Sequence, residues 1–427
     1  MIFIYILLSL VSGKITHFST IIQGPSAQLI HKCTLYSRND IYGSQDPYIT
    51  IQCKSYLGNP SEITAYILLL THKQYMHHNS ISYCSADTPS VLSKVPMSSG
   101  NMTMIIQETG AYYIIAAVCE SSQKDLEIDI EFINPYGHIP GDLVPLIPFY
   151  FSVACVYIVL LVLWELALCC YWKYSINIQK LWIPGILVLC IVENSLECWV
   201  LLDFNITGIR NLFLSFLAIV VKSFKDSFGR ILLMAAARGW GITQDISTNK
   251  AWVIYLCGVV YFLFDLIYLI TFKVQESLEL YLLLLVSFPL IILNTLIFFL
   301  IFSWFSQTLY KLNFLKQSYK LKLVKQFALL LGLAGLVSVI WGTLETLARF
   351  FWKQSDMWKW DWLYIGIWEA IFLILVISLI VIWRVSKNSK LLAITHEIRD
   401  DDHEISQEEE EVKYGIELSK VKNAQKK

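Results

Sequence analysis

A seven-helix membrane bundle preceded by an N-terminal lumenal β-sandwich is the fold class the sequence predicts, on three observations. The 427 residues are 56% hydrophobic, more than a soluble globular chain of this length carries. After residue 142 come seven apolar runs, each long enough to cross a hydrocarbon core of about 30 Å. Before it, apolar and polar residues alternate with the period of a half-buried strand. The result is an all-α membrane domain behind an all-β head.

The elements follow in order. Residues 1–13 form a short apolar run ending in Val11-Ser12-Gly13, which reads as a signal peptide because about 11 residues cannot span a bilayer. Residues 14–142 form the head. Its clearest strand is Leu126-Glu127-Ile128-Asp129-Ile130-Glu131-Phe132. Similar runs at Tyr48 to Cys53, Ile63 to Leu70, Met102 to Gln107 and Ala111 to Cys119 are separated by Gly, Pro, Asn and Ser clusters, the punctuation of an antiparallel sandwich. Cys33, Cys53, Cys84 and Cys119 all fall here. Four cysteines behind a signal peptide predict two disulfides in an oxidising lumen, with three pairings open. Asn101-Met102-Thr103 is a glycosylation sequon, which fits a lumenal surface.

Residues 143–384 hold the spans: Pro145 to Cys170, Leu181 to Leu202, Asn211 to Ala237, Ala251 to Thr271, Leu280 to Trp304, Phe327 to Phe350 and Trp362 to Ile382. Lysines and arginines cluster at the edges expected to face the cytosol, among them Lys173, Lys180, Arg238, Lys311, Lys322, Lys325 and Arg384, so the positive-inside rule places the head in the lumen. Residues 385–427 form a cytosolic tail with acidic blocks at Asp400-Asp401-Asp402 and Glu408 to Glu411, a solvated and disordered composition.

The third span is the anomaly. It holds Lys222, Lys225, Asp226 and Arg230, each costly at bilayer depth. At 100° per residue they share an arc of roughly 140°, so one face meets lipid while the other meets protein or water. Glu193 and Glu197 lie one turn apart on the second span, and Glu193 falls near the depth of Lys222 and Lys225 on its antiparallel neighbour. Asp265, Asn294, Glu345 and Glu369 lie in the outer halves of the fourth to seventh spans. These ionisable residues form the candidate intramembrane site: a polar cavity for a headgroup or an ion, or a set of salt bridges that only fixes packing.

Catalysis is not expected. No histidine lies between His138 and His396, which removes the usual base and metal ligand of embedded hydrolases. The net charge of −1 offers no surplus for nucleic acid.

The junction Phe132-Ile133-Asn134-Pro135-Tyr136-Gly137, then Pro145 to Tyr150, Tyr157 and Trp164, resembles the membrane entry of the GOST family. Gln179, Glu193, Thr207-Gly208, Lys225, Gly229-Arg230, Gly239-Trp240-Gly241, Trp360 to Trp362, Trp368 and Trp383-Arg384 continue the likeness in order and spacing. Val385 departs from it, standing where the family usually has proline. The resemblance implies a Golgi-dynamics-type (GOLD-like) head over seven helices. It implies residence in Golgi and endosomal membranes, with the plasma membrane as a further location, and a role in retrograde transport between Golgi and endosomes. It also implies a likeness to the Wnt carrier Wntless, whose bundle takes a lipid-modified client. The expected partners are membrane lipids, a lumenal or lipidated cargo and trafficking machinery on the tail, with a bound phospholipid in place of a cofactor. A cation channel and a G-protein-coupled receptor are the alternatives. The receptor lacks its Asp-Arg-Tyr and Asn-Pro-x-x-Tyr signatures here, and the channel needs acidic constrictions such as Glu193, Glu345 or Glu369 along a continuous path.

Overall fold

The computed structural model describes residues 17–23, 26–41, 43, 45–56, 65–76, 93–96, 101–118, 123–175, 178–239, 251–274, 280–314, 318–351 and 357–384. The expected signal peptide, Cys84, Cys119 and the acidic tail lie outside them, as does the side chain of Cys53.

The head is built of eight strands: β1 (His17–Gln23), β2 (Ser26–Leu35), β3 (Tyr48–Tyr56), β4 (Ala65–Thr71), β5 (Ser93–Pro96), β6 (Asn101–Ile105), β7 (Gly110–Val118) and β8 (Gln123–Ile133). They form two antiparallel four-stranded sheets, ordered β1-β8-β3-β6 and β2-β7-β4-β5. The alternation in β8 does what its period dictates: Ile128, Ile130 and Phe132 are buried, while Asp129 and Glu131 between them keep solvent contact. They share one apolar core with Ile49 and Ile51 of β3 and with Cys33, Leu35, Ile67, Leu69, Tyr112 and Ile114 of the other sheet. The two sheets therefore face each other. β1, β2 and β5 carry no clean alternation and were not separable from loops by period; β2 also slips register between Leu29 and His31.

β7 is buried on both faces from Ala111 to Ala117, as a central strand must be when each face has a cover. Its second face, with Leu68 and Leu70, packs beneath Trp358 and beneath a helical turn at His72–Met76, where Tyr75 stacks on Tyr113 with centroids 4.1 Å apart. Trp358 belongs to the link between the last two long helices, so the head sits directly on the bundle.

Seven long helices follow: α1 (Leu146–Tyr171), α2 (Ile183–Thr207), α3 (Leu212–Ala237), α4 (Ala251–Val274), α5 (Leu280–Phe314), α6 (Ser318–Phe351) and α7 (Trp362–Ile382). Six are long and apolar enough to cross a membrane; α3 is not, because of its central charges. α5 and α6 outrun their predicted apolar cores, since Lys311, Lys322 and Lys325 interrupt hydropathy but not helix propensity. At 35 and 34 residues they measure about 50 Å, well beyond the hydrocarbon core.

α3 is held in the centre of the bundle, packed on α2, α4 and α5. Small residues let it approach closely: a Cβ added to Gly258 of α4 would fall 2.3 Å from Ile231 Cδ1. Ser223 Oγ donates to the Phe262 carbonyl at 3.1 Å, Ser227 Oγ to the Gly258 carbonyl at 2.9 Å, and Thr308 Oγ1 of α5 to the Ala237 carbonyl at 2.9 Å. Phe213 and Phe224 point outward. The predicted division of α3 into an apolar outer face and a charged inner face is what the bundle shows.

Candidate functional site

The head and bundle are joined by the Asn134-Pro135-Tyr136-Gly137 turn. Asn134 is fully buried and gives its side-chain amide to the Ile139 carbonyl at 2.8 Å, while its oxygen accepts from the Tyr36 amide at 2.9 Å. Asn205 near the end of α2 then clasps the turn. Its amide donates to the Tyr136 carbonyl at 2.9 Å, its side-chain oxygen accepts from Ile139 N at 3.3 Å, and its carbonyl accepts from His138 N at 3.1 Å. Gly137 has φ +139°, and a Cβ there would lie 2.3 Å from Asn205 Oδ1; only glycine meets both demands. Gly208 caps α2 in the left-handed region at φ +69°. The junction thus fixes α2, and through Trp358 also α7, against the head.

Those two helices carry the carboxylates that meet α3. Glu369 of α7 holds one lysine on each oxygen: Lys222 Nζ lies 3.0 Å from Oε1 and Lys225 Nζ 3.2 Å from Oε2. Glu193 of α2 places Oε1 3.3 Å from Lys225 and 3.7 Å from Lys222. Its Oε2 accepts from Asn194 Nδ2 at 2.8 Å, and the same amide donates to the Cys190 carbonyl at 2.9 Å. Lys225 also approaches Asp226 Oδ1 at 3.8 Å and lies 4.7 Å from the Phe372 ring centroid. Two lysines and two carboxylates, nearly dry, balance each other, which is the condition under which charges persist in a low dielectric. Lys225 is 2% exposed at its side chain, whereas Lys222 keeps 19%. Asn194 Oδ1 and the Tyr157 hydroxyl remain buried without a hydrogen-bond partner. Glu197 is buried one turn along α2.

A second group lies on α3, α4 and α5. Arg230 donates to Asn294 Oδ1 through Nε and Nη2 at 3.2 and 3.1 Å and to the Asp226 carbonyl at 3.0 Å, and stacks 3.7 Å over the Tyr261 ring. Tyr261 donates to Asp265 Oδ1 at 3.2 Å.

Of the nine predicted site residues, Glu193, Lys222, Lys225 and Glu369 are brought into one cluster, Arg230 and Asp265 into its neighbour, with Asp226 between the two, and Glu197 is buried one turn from Glu193 on α2. Glu345 is in neither: it lies on α6, where Oε2 accepts from Trp368 Nε1 at 3.0 Å. Sequence pairing of depths found Glu193 but not the bridging role of Glu369, since nothing in the chain orders α7 beside α3. Asn194 and Tyr261 were missed, although Tyr261 precedes Asp265 by one helical turn. Trp164 is packed, with Nε1 donating to the Gln179 carbonyl at 3.0 Å; Gln179 Nε2 in turn donates to the Trp383 carbonyl at 2.9 Å. Cys33, expected in a disulfide, is instead a free thiol: its side chain is buried in the apolar core between the two sheets, with Sγ 3.8 Å from the Tyr112 carbonyl.

A bundle that packs its most charged helix at the centre and closes it with carboxylates from two others defines a multi-pass membrane protein with a polar interior. The model of the GOST seven-transmembrane domain matches residues 145–390, and the chain belongs to the GOST family. It is 26% identical over 322 residues to transmembrane protein 87A of Xenopus tropicalis, covering 74% of this chain and 59% of that one. It is 28% identical over 284 residues to transmembrane protein 87B of Mus musculus, covering 66% and 51%. Membrane protein PTM1 of Saccharomyces cerevisiae is 22% identical over 318 residues, covering 70% and 59%. The chain spans between half and three-fifths of these relatives' lengths. α3 is therefore a span of a seven-helix family despite its composition.

Proposed function

We propose that the protein acts in membrane trafficking between Golgi and endosomes, with its GOLD-like head in the lumen, and that its lysine pair receives the anionic headgroup of a phospholipid or of a lipid-bearing client. The observation that carries this reading is the asymmetry between the two lysines. Lys225 is sealed between Glu193 and Glu369, while Lys222 shares the same carboxylates yet keeps 19% of its side chain accessible. An arriving phosphate replaces a carboxylate contact of Lys222 with another charge-assisted contact to an anionic oxygen.

The head, tied to α2 and α7 through Asn205 and Trp358, is placed to sense a lumenal partner and pass its movement to the helices bearing Glu193 and Glu369. The acidic tail would recruit cytosolic trafficking machinery.

The test is phospholipid retention by native mass spectrometry of protein released from nanodiscs. Lys222→Ala removes a charge-assisted contact worth roughly 1.5–3 kcal/mol, so it should retain at least about tenfold less anionic phospholipid than the unaltered protein. Equal retention would remove Lys222 from the site.

A further inference from the structure

The carboxylates of the polar interior outnumber its basic groups, and the surplus is localised. Asp265 is 5% exposed, and among the described residues no basic group lies within ion-pairing distance of it. One oxygen, Oδ1, accepts from the Tyr261 hydroxyl at 3.2 Å. The other, Oδ2, is buried with no hydrogen-bond partner. The groups that face it are few. From α3 come Asp226, a second carboxylate, and Arg230, which directs three of its N–H donors to Asn294 and the Asp226 carbonyl. Ser223 of α3 is fully buried and gives its proton to the Phe262 carbonyl. α5 contributes Asn294 and has no charged residue between Leu280 and Tyr310. α4 itself adds Tyr261 one turn before Asp265 and Tyr268 one turn after it.

A carboxylate at bilayer depth with one oxygen unmatched does not stay ionised without a positive charge beside it. Arg230 would be the ordinary counterion, but its planar fork is turned to a neutral amide and an aromatic face. What remains open at Oδ2 is an oxygen acceptor, with the Tyr261 hydroxyl on the other oxygen of the same carboxylate and a second acid, Asp226, on the facing helix. These are hard oxygen ligands suited to a small monovalent cation. We propose that Asp265 binds one such cation, a proton or a sodium ion, between α3 and α4. This site adjoins the lysine cluster through Asp226, whose Oδ1 lies 3.8 Å from Lys225 Nζ, and does not depend on a lipid being bound there.

Two measurements on the protein in nanodiscs separate the two ions. One is binding of radioactive sodium in choline buffer; the other is infrared spectroscopy of the protonated carboxyl carbonyl stretch across a pH series. Sodium as occupant predicts saturable binding that is lost in Asp265→Asn. A proton predicts no sodium binding and a protonated-carboxyl band at neutral pH that is lost in Asp265→Asn. Should that variant fail to fold, Tyr261→Phe supplies the assignment: it removes the hydrogen bond to Oδ1 and shifts the band to higher frequency, or weakens sodium binding several-fold. The unaltered protein showing neither sodium binding nor a protonated-carboxyl band at neutral pH would overturn the proposal. So would a signal of either kind that survives unchanged in both variants.

Discussion

Lys225 shows what holds a charge in the middle of an apolar bundle. Its ammonium lies within 3.3 Å of one carboxylate on α2 and another on α7, so removing it leaves two buried acids with a single lysine. Breaking a buried pair in this way costs about 3–5 kcal/mol. Lys225→Met should therefore lower the midpoint of thermal unfolding in detergent by several degrees, and Glu369→Gln should do the same from the other side. The double variant should be less destabilised than the sum of the two, because each has already lost the same contact. Additive losses would show that the pair is not coupled. In the head, burial raises the Cys33 thiol to about 12, and the thiolate is the reactive form. Cys33 should resist maleimide at neutral pH until the head is unfolded; mass spectrometry of labelled peptides reads this directly, and rapid labelling of the folded head would contradict it.

Among the elements, α3 and the Asn134 turn decide how the parts are assembled. The charged arc of α3 was legible because four costly residues fell on one side of a helix, and the neighbouring α2 was legible because short connections put consecutive helices side by side. Glu369 was not, since contact between α3 and α7 depends on how the other helices close around α3, and hydropathy says nothing of that. Glu345 illustrates the same limit from the other side: at matching depth, it turns to Trp368 on the outside of the bundle. β3 and β8 could be read from period 2 and β7 as a continuous apolar run, whereas β1, β2 and β5 could not. Asn205 was silent in the sequence, though the Thr207-Gly208 beside it carried the family likeness. Replacing Asn205 with alanine removes both of its side-chain contacts to the turn and keeps the helix. It should loosen the junction so that limited proteolysis separates head from bundle several-fold faster, with little change in the bundle's own helicity. Unchanged proteolysis would mean that Trp358 alone secures the head. Gly137→Ala should be harsher, since it adds both a clash with Asn205 and an unfavourable positive φ.

For the whole molecule, the arrangement couples a two-sheet head to the two helices whose carboxylates hold the lysines of α3. On the proposed function, a movement of the head against α2 or α7 would change the distance between Glu193 and Glu369, and with it the hold on Lys222. The most direct test is a density map of the protein in anionic-lipid nanodiscs, resolved well enough to show headgroups. The account predicts headgroup density beside Lys222, with Lys225 still clasped between Glu193 and Glu369. A dry interior in which both lysines are closed over by carboxylates and α6 is packed tightly against α3 would contradict it.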